Sequence, residues 1–277
     1  MIEEPVIISD HYSSIFGVLR HSSECNKLVI LIPADIGIRA GSQRIYVQIA
    51  RALMYENIAS LAVDIPPNGD SFDNEPTEVS ENYKEVLIFS YKRYIDKVIK
   101  YLDTNFNFNE YILLSFSSGC IPVLKYAEKN NYSKVIILSP DLFNTNKLNN
   151  KLKNINSGFS WLYETCKRLM QLNLAIINEL NKIIDFPTLL KKGRKSPILN
   201  YQQNDKNHAV DIFNILAEHD KDLNQNQVFW RNYFRDGKCA SYTERIIKGA
   251  DHHFLGWYFK EEVTRMVGQW ISGILSS

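Results

Sequence analysis

Three residues far apart along the chain have the types that acyl chemistry needs: Ser117, Asp220 and His252. A serine hydroxyl is a poor nucleophile at neutral pH. It needs a base within hydrogen-bond reach, and that base needs an acid to fix its tautomer and stabilise the imidazolium. Ser117 lies in EYILLSFSSGCIP, residues 110–122. There a short apolar run, 111–114, reads as a buried strand, and residues 120–129 can be helical. A serine at the apex of such a strand-to-helix turn is lifted out of the sheet, and the first N–H groups of the helix favour a developing oxyanion. The local pattern is S-x-S-x-G, with Ser115 where the elbow pattern has a glycine, so taken alone it could be an ordinary β-to-α turn.

The acid and the base each follow a predicted strand. Asp220 follows the run 209–217, and His252 follows the alternating run 241–247. Competitors stand beside each candidate. Ser118 rivals Ser117 but fits the frame less well, because Cys120 stands where a glycine is wanted. His253 rivals His252; Glu218, Asp222 and Asp141 rival Asp220. His219, between two acids, has no second cluster at ligand spacing, so no metal is expected. Cys120, at the first turn of a buried helix, reads as a small core residue. Arg39 and Arg44 could bind a carboxylate or phosphate, with capping or surface roles the commoner use of such residues.

The elements that must position these residues alternate. Residues 5–9 and 14–19 read as an edge hairpin, and 27–32, KLVILI, as a central strand. A loop, 33–42, leads to a helix over 43–56, a strand over 58–64 and a turn-rich exit, 64–71. A long helix over 85–102 precedes the serine strand, and 134–138 is the next strand. Helices are expected over 223–234 and 263–274. Strands alternating with helices predict a mostly parallel sheet with helices on both faces, and its ligand at the C-terminal strand ends.

Between about 144 and 200 the alternation breaks. A polar stretch is followed by an amphipathic one that includes Trp161 and Tyr163, then by the basic run LLKKGRKS. The expected organisation is therefore a core in two parts, 1–143 and 201–277, interrupted by a helical cap or lid over 144–200.

With 277 residues the chain can bury a large core, and 45% hydrophobic and 23% charged residues is an ordinary globular balance. A formal net charge of +1 gives no global argument for nucleic acid or an anionic membrane. The four scattered cysteines show no CxxC spacing, which argues against a zinc site or disulfide framework and makes a reducing, cytoplasmic setting the default. The acidic start, MIEEPVIISD, does not read as a secretory signal, and no transmembrane segment is expected.

The order Ser117, Asp220, His252 and the loops around them resemble the α/β-hydrolase fold over nearly the whole chain. Asp64, Gly69 and Ser71 resemble the D-x-R-G-x-G-x-S loop after the fourth strand of that superfamily. Ala217-Glu218-His219-Asp220 resembles the G-x-x-D acid loop, and residues 249–254, GADHHF, resemble the G-A-D-H-x-F histidine loop. Arg39-Ala40-Gly41-Ser42-Gln43-Arg44 is similar to the R-x-G-S-H-R segment of hydrolases associated with exosortase systems. The resemblance implies an esterase or thioesterase working without cofactor on a small-molecule or carrier-linked acyl substrate. The oxyanion donors would be the N–H of Ser118 and that of Ala34 or Asp35, because Pro33-Ala34-Asp35 stands where the family has His-Gly or Gly-Gly. An acyltransferase with the same triad, or a non-catalytic binding protein of this fold, are the alternative expectations.

Overall fold

The apolar runs become the strands of one sheet. In the computed structural model, the described residues are 2–34, 37–73, 83–130, 132–141, 210–236 and 239–275, with backbone alone over 83–90. The segment expected as a cap, 144–200, lies outside them, as do Trp161 and Tyr163. Among the described residues nine strands run β1 (Ile2–Ser9), β2 (Ser13–His21), β3 (Lys27–Ile32), β4 (Ala59–Val63), β5 (Phe72–Asp73), β6 (Glu110–Phe116), β7 (Lys134–Leu138), β8 (Asp211–Ala217) and β9 (Ser241–Ile247). The helices are α1 (Ile45–Tyr55), α2 (Tyr83–Asn105), α3 (Cys120–Asn130), α4 (Leu223–Arg235) and α5 (Trp257–Ile271).

The sheet order is β1-β2-β4-β3-β6-β7-β8-β9, with β5 paired to β2. From β4 to β9 every pairing is parallel, while β1, β2 and β5 pair antiparallel at one edge. The edge hairpin is turned by Asp10, whose carboxylate accepts from the N–H groups of Tyr12 and Ser13. The central strands β3, β4, β6 and β7 are buried almost throughout, as strands covered on both faces must be.

One face of the sheet is closed by α1 and α5. Ile45, Ile49 and Leu53 of α1, at helical spacing, meet Val263, Val267 and Trp270 of α5 over Val29, Leu31, Ile112 and Leu114. Burying one such aliphatic side chain stabilises the fold by about 1.5–3 kcal/mol, so a charge at Ile49 would be enough to break this layer. On α2 the buried stripe is Tyr91, Tyr94, Ile95, Val98 and Leu102. No helix among the described residues is long and apolar enough to cross a membrane.

Most expected elements are present with ends shifted by a few residues, and three departures have a physical reason. α1 begins at Ile45 rather than 43, because Gln43 and Arg44 both have left-handed backbone (φ 51 and 63) and form a short 3-10 turn with Ser42. α5 begins at Trp257 rather than 263, directly after Gly256 at φ 104; its first two residues, Trp257 and Tyr258, are exposed aromatics that do not fit a buried helical stripe. The two-residue β5 was not expected at all.

Candidate active site

The serine turn is built by a backbone conformation that most residues avoid. β6 ends at Phe116, Ser117 has φ 53, and a 3-10 turn over Ser117–Gly119 runs into α3. A left-handed non-glycine residue between strand and helix is costly and is characteristic of functional turns. The Asp141 N–H braces it from the end of β7, donating to the Ser117 carbonyl at 3.1 Å.

Ser115, where the elbow pattern has glycine, is fully buried, and its hydroxyl donates to the Ile32 carbonyl of the neighbouring β3 at 2.8 Å. The crowding falls on Gly119. A Cβ there would stand 2.4 Å from Ser115 Oγ and 2.6 Å from the Pro33 carbonyl oxygen. A serine can replace the first glycine of the turn because its polar atom is satisfied within the sheet and the second glycine leaves it room.

The acid and histidine loops are stitched together before either side chain is considered. The N–H of Glu218 donates to Ile247 O and that of His219 to Ala250 O, at 3.1 and 2.8 Å. Gly249, at φ 74, donates its N–H to the Glu218 carboxylate. Phe254, fully buried in the α1/α5 core, anchors the far end of the histidine loop. Asp220 is itself oriented, since its Oδ1 accepts from the Asp222 N–H at 3.1 Å, leaving Oδ2 toward the histidine.

These elements bring the three candidates together. Ser117 Oγ lies 3.0 Å from His252 Nε2, and His252 Nδ1 lies 2.6 Å from Asp220 Oδ2. Asp220 is buried at 4% side-chain exposure and His252 is accessible at 29%. With the proton on Nδ1 donated to Asp220, Nε2 is left to accept from the serine hydroxyl. The Phe116 ring, buried beside the serine, packs against the imidazole at 5.3 Å between centroids and limits its rotation.

The rivals are placed elsewhere. His253 Nδ1 meets Ser42 Oγ at 3.2 Å. Glu218 accepts from Gly249, and Asp222 and Asp141 act through their backbone N–H groups as above. His219 is exposed, and among the described residues no group of three or more metal-ligating side chains is assembled. Cys120 is fully buried, and burial pushes its thiol well above the ordinary range.

Ser118 is buried in the middle of the turn, and Ala34, two residues past the end of β3, is half-buried against the core; Asp35 lies outside the described residues.

The loop after β4 explains the spacing of Asp64, Gly69 and Ser71. Asp64 is fully buried; its carboxylate accepts from the Arg39 N–H at 2.6 Å, the Asp70 N–H at 3.1 Å and the Arg39 guanidinium. Gly69, at φ 61, is pressed so closely on it that a Cβ would lie 2.1 Å from Asp64 Oδ2. Ser71 Oγ donates to the Asp64 carbonyl and accepts from the Phe16 N–H. Arg39 also pairs with Asp70 at 2.6 Å, so it clamps the loops after β3 and β4; Arg44 is exposed. The sequence had not singled out Phe116, which as the neighbour of the serine was findable, or Tyr46 and Tyr91. Those two look like ordinary core tyrosines until their hydroxyls are seen to donate to Ile32 O and Pro33 O.

No protein-family model matches the chain, and no curated relative does. Solved structures do. The chain is similar to the esterase Pf2001 of Pyrococcus furiosus, at 18% identity and TM-score 0.66, covering 98% of this chain and 91% of that one. It is also similar to Est1E of Butyrivibrio proteoclasticus, solved with ferulic acid bound, at 14% identity and TM-score 0.59, covering 97% and 98%. An alpha-beta serine hydrolase homologue from Coxiella burnetii matches at 12% identity and TM-score 0.57, covering 97% of each chain. These likenesses and the sheet order together show that the chain has the α/β-hydrolase fold.

Proposed function

We propose that the protein is a serine hydrolase that cleaves a carboxylic ester or thioester through an acyl-enzyme on Ser117. The observation that carries this reading is the continuous hydrogen-bonded path from Ser117 Oγ through His252 to Asp220, at 3.0 and 2.6 Å. Ser117 Oγ attacks the carbonyl carbon as His252 Nε2 takes its proton, and Asp220 stabilises the imidazolium. The N–H groups of Ser118 and of Ala34 or Asp35 receive the oxyanion. Collapse expels the alcohol or thiol, which leaves with the proton from His252. Water, with His252 as base, then attacks the ester on Ser117, and the products are the carboxylic acid and the free serine. An aligned path of this kind counts against a non-catalytic binding protein of this fold. The resemblance of the Arg39–Arg44 segment and the histidine loop to exosortase-associated hydrolases supports a place beside polysaccharide or secondary-metabolite machinery, and the scattered cysteines, without a disulfide framework, support a cytoplasmic setting.

The test is labelling with a fluorophosphonate. Wild type is expected to take up one equivalent and Ser117→Ala none. A well-folded wild type that stays unlabelled and hydrolyses neither p-nitrophenyl esters nor acyl thioesters would overturn the reading.

A further inference from the structure

The path from Ser117 to Asp220 leaves unexplained a set of buried hydroxyls behind the loop that follows β3. Tyr46 and Ser115 each donate to the Ile32 carbonyl at 2.8 Å, and Tyr91, from α2, donates to the Pro33 carbonyl at 2.6 Å. All three side chains are buried. Two successive carbonyls are thus held where the backbone leaves the sheet for the loop over 33–42. A tyrosine hydroxyl in a core needs a partner, but nothing in the packing requires that partner to be this carbonyl.

Peptide geometry gives the arrangement a consequence. Across a trans peptide the N–H points opposite to the C=O. Among the described residues the cis bond is at Pro66–Pro67, so the unit joining Pro33 to Ala34 is trans. Holding the Pro33 carbonyl therefore sets the direction of the Ala34 N–H. That N–H makes no hydrogen bond among the described residues, while the Ala34 carbonyl accepts from Gly37 at 2.9 Å. Two glycines keep the unit in place and its donor open. A Cβ at Gly119 would lie 2.6 Å from the Pro33 oxygen, so the first turn of the serine helix backs directly on this carbonyl. A Cβ at Gly37 would lie 3.2 Å from the Ala34 nitrogen.

We propose that Tyr91 is a positioning residue for the oxyanion hole: through the Pro33 carbonyl its hydroxyl aims the Ala34 N–H at the oxygen that becomes negative during acyl transfer. The inference rests on the serine-hydrolase reading above. Tyr91 touches no reacting atom. It fixes the rotation of one peptide unit, whose donor does its work in the transition state, so its loss falls on turnover and not on substrate binding.

The experiment compares wild type, Tyr91→Phe, Gly37→Ala and a control, Tyr126→Phe. The control removes a comparable hydroxyl, the one that donates to Asp96 from α3, away from the loop. Each is assayed for p-nitrophenyl butyrate hydrolysis, inhibition by phenylboronic acid, which forms a tetrahedral adduct on an active serine, and unfolding in urea. Tyr91→Phe is expected to lower kcat about 10- to 100-fold with KM within about twofold, and to weaken the boronate by a similar factor. Gly37→Ala, which crowds the same donor from its other side, should show the same split. Tyr126→Phe should keep kcat and boronate affinity within about twofold whatever its effect on stability. Wild-type kcat and boronate affinity in Tyr91→Phe, or an equal loss in Tyr126→Phe, would overturn the role of Tyr91 and leave the hydrolase reading standing. A wild type that neither hydrolyses the ester nor takes up fluorophosphonate removes both.

Discussion

The Ser115 hydroxyl spans the β3–β6 pair to the Ile32 carbonyl, and Gly119 lies against both that hydroxyl and Pro33. Ser115→Gly is therefore expected to cost about 1 kcal/mol, the net worth of one hydrogen bond plus the flexibility of glycine, while leaving hydrolysis within about threefold. Gly119→Ala should be far worse in both respects, since its methyl meets Ser115 Oγ and Pro33 O together. Combining the two should recover only part of the loss, because Pro33 O remains in the way. Urea titrations and ester assays on the three variants check this.

Asp220, not Asp141, is expected to be the acid. Asp220→Asn keeps the shape but favours the wrong imidazole tautomer, and turnover should fall by about 10³–10⁴-fold. Asp141→Asn leaves the backbone brace to Ser117 intact and should cost less than about tenfold. Rates of fluorophosphonate uptake for the two variants provide the comparison; a larger loss in Asp141→Asn would reverse the assignment.

Removing the buried partner of Arg39 should destabilise the fold. Asp64→Ala strips a fully buried carboxylate from two backbone N–H groups and a guanidinium, and a loss of about 3 kcal/mol is expected. That is the low end for a broken buried pair, because the Arg39 side chain is partly exposed. Arg39→Lys cannot keep both carboxylates in one fork and should lose part of the same stability. The denaturation midpoint in urea is the readout.

Glu244 carries an acid-sensitive contribution to stability. Burial alone would raise its pKa. Hydrogen bonds from Tyr242, Gln227 and Arg231 outweigh it and hold the folded carboxyl below its ordinary value. The sign follows: the stabilisation is present above the unfolded carboxyl pKa of about 4.3 and is lost as pH falls through the lower folded value. The stability difference between wild type and Glu244→Gln should shrink across that acid window and stay constant near neutrality, as measured by urea unfolding at stepped pH.

Cys120 should be chemically silent despite standing three residues after the serine. Burial holds its thiol protonated, and its Sγ donates to the Ser115 and Leu138 carbonyls. Cys239, pushed up to about 12 by burial, should behave likewise. Iodoacetamide at pH 8 should leave both unmodified in the native protein and modify both in urea, as read by mass spectrometry of peptides.

Much of the fold was legible because the buried parallel strands are nearly continuous apolar runs. KLVILI and KVIIL admit few other readings, and the edge hairpin was marked by Asp10. β5 was not legible because Phe72–Asp73 is too short to show a period. The start of α1 was hidden because no sequence rule calls for left-handed backbone at Gln43 and Arg44. At the site, the residue types and the strand ends pointed to Ser117, Asp220 and His252, whose geometry is local to three loops. The supports were not visible. Tyr91 sits on a helix stripe whose spacing reports burial and nothing about a hydroxyl, and Ser115 looked like a weakened motif because its partner lies 83 positions away in the chain.

The path from Ser117 to His252 joins residues 135 positions apart, and the acid enters from a strand that must first pair with both β7 and β9. Contacts so distant along the chain form late, because the loop-closure entropy is paid before they give anything back. On the proposed reading, ester hydrolysis reports assembly as well as chemistry: on refolding it should return only after helix signals and core fluorescence have recovered, when the last strand docks.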